Sequence, residues 1–235
     1  MLKTAQFTSY RLAHHTPSYY RATSLALNHT SPLHSSTHLH SPVTTSQPST
    51  KSKSKLQTHI EDSPEYKTDL IKMAGNKKNA PPEHEMVYFK QLASSVRRFG
   101  DFRTVLHTGL YSQVVAMEVP VGGDIGDEVH TVDQILLFTH GKGLATVSGK
   151  DQEVAAGDVV VVPAGTQHQF VTKGDEPLEL ITIYAPAEHK TDTVHKTKEE
   201  GDKEEDDGID EAPEWSQQSK KSNEEAGLVR EDAKY

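Results

Sequence analysis

The residues that decide the fold run from Gly122 to Phe138, GGDIGDEVHTVDQILLF, and resume at Gly157–Phe170, GDVVVVPAGTQHQF. Within them, polar side chains that can bind a metal recur at short spacing: Glu128, His130, Gln134 and, 34 residues later, His168. Side chains alternate across a strand, so spacings of two and four predict that the first three share one face. His168 is expected at the start of another strand of the same small barrel.

The four side chains offer a mixed ligand set of two imidazoles, one carboxylate and one amide oxygen. That set suits one divalent metal ion such as Fe, Mn, Ni or Zn, and four ligands in an octahedral shell leave two open positions. Each residue also has a metal-free interpretation: Glu128 as a surface residue, and His130, Gln134 and His168 as hydrogen-bonded barrel residues. Asp133 has the opposite parity and is interpreted as a turn or hydrogen-bonding residue. His140, His189 and His195 are left out of the site.

The spacing of these residues resembles the two motifs of the cupin superfamily. The second, G-x5-P-x-G-x2-H-x3-N, is matched from Gly157 through Pro163, Gly165 and His168, with Thr172 in place of the final Asn. The first, H-x-H-x3,4-E-x6-G, appears as Glu128-x-His130-x3-Gln134-x6-Gly141, with two of its ligand positions substituted. We interpret the glycines and Pro163 as turn residues, because Gly permits positive φ and Pro fixes φ.

Most of residues 100–200 also resemble small single-domain cupins, through stretches such as FRTVLHTGLYSQVVAMEV, IGDEVH-xx-DQ and VVVPAGTQH. Relatives of this kind are often labelled mannose-6-phosphate isomerase-like. The resemblance implies an all-β jelly-roll barrel whose positions matching Glu128, His130, Gln134 and His168 line the interior and hold a divalent metal. Relatives commonly carry charges after the DQ pair. Leu136, Leu137 and Phe138 stand there in this chain and predict a more apolar pocket wall.

Composition divides the chain into three parts. Of 235 residues only 34% are hydrophobic and 6% aromatic, which is too few for a core that extends through the whole chain. We predict a disordered extension over 1–72, a cupin domain over 85–190, and an acidic tail over 191–235 that is mostly disordered. Fifteen acids against eight bases in residues 189–235 favour a solvated charge run there.

Residues 1–60 carry six Lys or Arg and no acid, together with many Ser and Thr. This composition fits a mitochondrial transit peptide; a plain disordered extension, or a true start at Met73, remain open alternatives. The expected location is therefore cytoplasmic or mitochondrial. The chain has no cysteine and hence no thiolate metal site. The sequence contains no apolar run of 18 residues, so we predict no membrane span. It also contains no basic stripe with aromatic residues, so we predict no nucleic-acid binding.

Seven segments rich in β-branched residues predict strands separated by Gly or Asp turns: Phe102–His107, Ser112–Val119, Ile135–Thr139, Gly143–Val147, Val159–Val162, Gln169–Thr172 and Leu178–Tyr184. The four valines are expected to be buried on both sides. Short helices are predicted from Ser63 to Met73 and over residues 88–98.

Within the tail, Ser216 could cap a short helix that ends at Gly227. The single tryptophan, Trp215, lies just before it. We weigh two interpretations of Trp215: docking on the barrel or on a partner, and plain exposure.

Three functions remain open from sequence. The first is a small metalloenzyme of the dioxygenase, isomerase or lyase type, with the metal as Lewis acid or O2 site. The second is a non-catalytic cupin that binds a small ligand, and the third is an interaction module. No extra His, Tyr or Lys is evidently aimed into the barrel, which weakens chemistry that needs a proton shuttle. We expect a homodimer, since single-barrel cupins often pair their sheet edges.

Overall fold

The computed structural model describes residues 78–229, which form a β-barrel followed by short helices. Its strands are β1 Arg103–Thr108, β2 Gln113–Val119, β3 Asp124–Val129, β4 Asp133–His140, β5 Lys142–Val147, β6 Lys150–Ala155, β7 Val159–Val162, β8 Gln167–Lys173, β9 Leu178–Ala185 and β10 Val194–His195. The helices are α1 Lys198–Asp206, a 3-10 helix Glu214–Gln217, and α2 Lys220–Glu225.

The strands form two antiparallel sheets that enclose one core. The larger sheet has the order β10-β1-β2-β9-β4-β7, and the smaller has the order β3-β8-β5-β6. Alternation along β9 shows how the core is built. Leu178, Leu180 and Tyr184 are fully buried between the sheets, whereas Ile181 packs in a separate cluster with Phe99. The all-β jelly-roll barrel predicted from the sequence is confirmed.

The seven predicted strands are all present, within two residues of their predicted ends, but three others were missed. β6 has only one buried residue, Val154, so its sequence KDQEVA carries almost no alternation. β7 corrects the prediction of a doubly buried strand. It is the edge of the larger sheet, and Val159 and Val161 are 55% and 57% exposed.

The predicted helix over residues 88–98 is wrong, because the segment forms turns. Gln91 has a φ of 52°, which a right-handed helix does not allow. The guanidinium of Arg97 donates to the carbonyls of Lys90 and Gln91, so these oxygens are bonded outside any helical ladder. Apolar side chains of the segment, Phe89 and Leu92, pack on the cluster that contains Phe99.

The motif glycines have the predicted turn geometry. Gly141, Gly157 and Gly165 have φ values of 76°, 97° and 76°. Gly141 is the most restricted, because a Cβ there would lie 2.2 Å from the carbonyl oxygen of Pro177. The turn between β4 and β5 therefore requires glycine for space as well as for φ.

The expectation of a mostly disordered tail differs from the structure of residues 191–229. β10 pairs with β1. Thr197 is the N-cap of α1, and its side chain accepts a hydrogen bond from the amide of Glu200. Its charges pair at i,i+4, as between Lys198 and Asp202 at 2.8 Å. We call residues 196–229 the C-terminal extension.

The predicted short helix is confirmed as α2, with Ser219 rather than Ser216 as its cap. Residues 1–77 and 230–235 lie outside the described residues, and with them the predicted transit peptide and the helix from Ser63 to Met73. None of the helices within residues 78–229 has the length and apolar composition needed to cross a membrane.

Candidate metal centre

Glu128 and His168 are neighbours on two adjacent strands of the smaller sheet. They are directly opposite in the register of β3 and β8. His168 is 1% exposed, and its Nε2 lies 3.4 Å from Oε1 of Glu128. The two strands therefore bring one imidazole and one carboxylate together at the same level of the barrel.

His130 completes a cluster with these two residues, from the loop between β3 and β4 rather than from a strand. Its Nε2 lies 3.0 Å from Oε1 of Glu128, and its Nδ1 lies 3.2 Å from Oε1 of Glu188. Ligand atoms of Glu128, His130 and His168 all lie within 4.8 Å of one another. The predicted sharing of one strand face is thus wrong: Glu128, His130 and Gln134 come from β3, a loop and β4.

The charges of the cluster shift its pKa values. Burial alone would lower the pKa of His130, but the hydrogen bonds and charges of Glu128 and Glu188 outweigh it and raise the pKa to about 9. Burial would raise the pKa of Glu128, yet its hydrogen bond to His130 holds that pKa well below its usual range. The site therefore stabilises positive charge beside the Glu128 carboxylate.

Hydrogen bonds fix the lone pair of His168. Its Nδ1 lies 2.8 Å from the carbonyl oxygen of Thr166, which can only accept, so Nδ1 carries the proton. Nε2, which lies 3.4 Å from Oε1 of Glu128, forms no hydrogen bond with any of residues 78–229, so its lone pair is available to a metal. A buried lone pair that faces a carboxylate is costly unless a cation lies between them.

Gln134 extends the donor set from the opposite sheet. It is fully buried on β4, and its Nε2 donates to the hydroxyl of Tyr184 at 3.1 Å. Its Oε1 has no hydrogen-bond partner among the described residues. The ring of Tyr184 packs edge-on to His130, with centroids 5.4 Å apart, so Gln134 adjoins the cluster through one side chain.

These groups fit a divalent metal. His130 Nδ1 faces Glu188 and His168 Nδ1 is bonded to a backbone carbonyl, the outer partners that metal-bound histidines usually have. Their Nε2 atoms face the shared Glu128 oxygen. The donor set is one that Fe, Mn, Ni and Zn accept.

Comparison with known proteins identifies the family of this chain. A family model described as a cupin domain matches residues 115–184. The uncharacterized protein MJ1618 of Methanocaldococcus jannaschii is 31% identical over 94 residues, which are 37% of this chain and 75% of that protein. The chain belongs to the cupin family.

Two further proteins are similar to part of this cupin. The uncharacterized protein YrkC of Bacillus subtilis is 43% identical over 105 residues, or 41% of this chain. The match spans only 56% of YrkC. The crystal structure of BH2720 from Bacillus halodurans is 33% identical, covers 53% of this chain and 99% of that chain, and has a TM-score of 0.49.

The remaining sequence interpretations have mixed outcomes in this cupin. Asp133 accepts a hydrogen bond from the amide of Ala164, as its parity predicted. His140 contacts Arg98 and the carbonyl of Ser95, away from the cluster. Leu136 and Phe138 are buried in the core and make that wall apolar, whereas Leu137 packs on the outer cluster.

Sequence reasoning missed two residues next to the metal centre. Tyr184 lies at the end of β9, where the parity of Leu178 and Leu180 could have placed it inside the barrel. Burial raises the pKa of its hydroxyl, so the phenol is neutral at ordinary pH. Glu188 follows the strand and has no periodic signal in the sequence.

A second histidine–carboxylate cluster joins the barrel to the C-terminal extension. Ligand atoms of His189, Glu205 and Asp210 lie within 4.8 Å of one another. Arg103, 3% exposed on β1, is ion-paired with Glu205 and lies 3.8 Å from Asp210. Because that guanidinium already supplies a cation, we interpret the cluster as an ion-pair network rather than a second metal site.

A cavity of about 460 Å³ separates the two clusters and reaches both. Its lining includes Glu128 and His130 from the metal centre and Glu205 and Glu211 from the extension. The extension therefore forms part of the wall above the candidate metal centre.

Proposed function

We propose that this cupin binds one divalent metal ion through Glu128, His130, Gln134 and His168, and that the cavity above it receives a small molecule. The observation that carries the proposal is the pair of buried acceptors, His168 Nε2 and Gln134 Oε1, which have no partner among residues 78–229. A bound metal would supply Lewis acidity or a site for O2.

The chain's own residues would serve this chemistry in distinct ways. Glu128 contributes the negative charge of the ligand set, while Glu188 orients His130 through Nδ1. Tyr184 orients Gln134 by accepting from its Nε2, which directs the amide oxygen away from the hydroxyl. The same neutral phenol provides a buried O–H close to the site, so proton donation within the barrel is available after all.

Elemental analysis of the full chain tests the metal. We expect about one equivalent of Fe, Mn, Ni or Zn in the wild type and loss of most of it in His130→Ala and in His168→Ala, because each removes an imidazole ligand. His84→Ala is the matched control, since His84 is exposed and lies outside the cluster. A wild type that stays metal-free after reconstitution would refute the site.

The choice between an enzyme and a non-catalytic binding module is tested on the same samples. We propose an enzyme, because a neutral buried Tyr184 and a ligand-sized cavity adjoin the metal centre. Tyr184→Phe should keep the metal but lose turnover of any substrate found in a screen for O2 consumption or isomerisation. Equal turnover by Tyr184→Phe would exclude the phenol as proton donor.

A further inference from the structure

The cavity over the metal centre is lined mainly by negatively charged side chains. Five carboxylates line it: Glu128 and Glu188 from the barrel, and Glu205, Asp210 and Glu211 from the C-terminal extension. No Lys or Arg of residues 78–229 is among its lining residues. A phosphate or a second carboxylate on a ligand would therefore meet like charge in a confined space.

The negative charge at the end of the cavity that is lined by the C-terminal extension, which we call the far end, is only partly neutralised. Arg103 provides one positive charge against the two of Glu205 and Asp210. Glu211 also lines the cavity and adds a further negative charge. Three carboxylates and one guanidinium leave about two net negative charges at this end of the cavity, which favours a cationic group on a ligand.

His189 provides an independent indication of a ligand. It is 1% exposed and lines the cavity. Its Nδ1 lies 2.9 Å from Oδ2 of Asp210, a carboxylate that can only accept, so Nδ1 carries the proton. Its Nε2 is then an acceptor, and it has no hydrogen-bond partner among residues 78–229. A buried acceptor in this position calls for a donor from the ligand.

We propose that the cavity binds a small ligand with an ammonium group, which is received by Glu205, Glu211 and Nε2 of His189. An ammonium group has three donors and no acceptor, so it matches a wall made of carboxylates and one imidazole lone pair. The other end of the ligand, an oxygen donor, faces the proposed metal. This assignment rests on the proposed function, and it runs against a sugar phosphate, the substrate that the mannose-6-phosphate isomerase-like label suggests.

Three probes of similar length test the charge at the far end: γ-aminobutyrate, γ-hydroxybutyrate and succinate. They share one carboxylate and differ in carrying an ammonium, a hydroxyl or a second carboxylate. NMR titration of the full, metal-reconstituted chain should show γ-aminobutyrate binding about tenfold more tightly than γ-hydroxybutyrate, and succinate more weakly still. Equal binding of the three, tighter binding of succinate, or no binding of γ-aminobutyrate would overturn the assignment.

Variants test which wall of the cavity causes the preference for the ammonium probe. Glu211→Gln removes one charge from an exposed residue, and it should reduce the preference for the ammonium probe about fivefold without changing the melting temperature. Glu225→Gln is the matched control, because Glu225 lies on α2, outside the cavity. An unchanged preference in Glu211→Gln would count against the extension as the receiving wall.

The same titrations on metal-free chain separate this inference from the proposed function. Removal of the metal takes two positive charges away from Glu128, so the preference for the ammonium probe over succinate should increase. A chain that binds no metal but prefers γ-aminobutyrate refutes only the proposed function. A chain that binds metal without that preference refutes only the ammonium site.

Discussion

The two histidine–carboxylate clusters of this cupin have similar composition, but only one of them is paired with a buried arginine. Glu128, His130 and His168 meet within 4.8 Å, and so do His189, Glu205 and Asp210. The first has no arginine ion pair and leaves His168 Nε2 without a partner among the described residues. The second is bonded to Arg103.

This difference shows that ligand identity and spacing alone do not define a metal site. A carboxylate that already has a buried guanidinium neighbour gains little from a metal, because the two cations would repel each other. The neighbouring charge decides which cluster is a candidate centre and which one fastens the C-terminal extension. Three predictions test the comparison.

The largest expected effect is loss of stability in Asp210→Ala. Asp210 accepts from His189 Nδ1, from the amide of Lys190 and from the hydroxyl of Thr193, and it lies close to Arg103. Its removal leaves a buried charge undercompensated, so the free energy of unfolding should fall by about 3–5 kcal/mol. Urea denaturation of the metal-free chain measures this fall.

The metal content of the same variant separates the two clusters. Asp210→Ala should keep its metal, whereas His168→Ala should lose it with a smaller loss of stability. Should Asp210→Ala not fold, Asp210→Asn is the milder substitute. A folded Asp210 variant that has lost its metal would show that the two clusters act as one site.

Glu179 provides an intermediate case, a buried carboxylate without full compensation. Burial and the facing carboxylate of Glu118 raise its pKa to about 9 from an ordinary value of 4.5, against the hydrogen bond from the amide of Phe99 and the charge of Arg98. The folded-state pKa is higher than the unfolded-state value. The stability that the bound proton contributes is therefore fully present below pH 4.5 and is lost as the pH rises through 9.

Glu179→Gln should therefore stabilise the protein, and more so as the pH rises. At pH 7 we expect a gain of about 2 kcal/mol in the free energy of unfolding, because the amide removes the need to keep a proton. Melting curves between pH 5 and 9 measure the trend. The exposed Glu153→Gln on β6 is the control and should show no such trend; a flat response in Glu179→Gln would contradict the raised pKa.

The smallest effect is expected at Trp215. Its Nε1 donates to Oδ1 of Asn79 at 3.2 Å in a partly exposed position. Trp215→Phe should lower the free energy of unfolding by about 1 kcal/mol, the usual contribution of one such hydrogen bond. Asn79→Ala should cost a similar amount and should add little to Trp215→Phe. Fully additive losses would show that the pair does not interact.

Much of the fold and part of the site could be predicted from the sequence, for identifiable reasons. Strands such as β2 and β9 carry β-branched residues and alternation, and the motif glycines carry turn geometry. Glu128 and His168 could be placed in the same barrel because they belong to the two motifs, whereas the pairing of their strands comes from the structure. Whether the four residues bind a metal, and whether the chain forms a homodimer, stay predictions.

Other features could not be predicted, because they depend on contacts distant in sequence. His130 was assigned to a strand because its spacing suits alternation, yet it lies in a loop. The C-terminal extension has a solvated composition, and its attachment rests on a few buried positions such as Asp210 and Ser216. No local pattern distinguishes these from the exposed acids and serines around them.

The position of Arg103 has a consequence for how the protein is made. Arg103 is in the first strand, and Glu205 follows it 102 residues later. During synthesis, all ten strands leave the ribosome before either counterion of this guanidinium has emerged. A nascent barrel must therefore keep that end open to water, and it can close only after the C-terminal extension has emerged. Premature termination before Glu205 would leave a persistently open barrel, the kind of species that chaperones and proteases recognise.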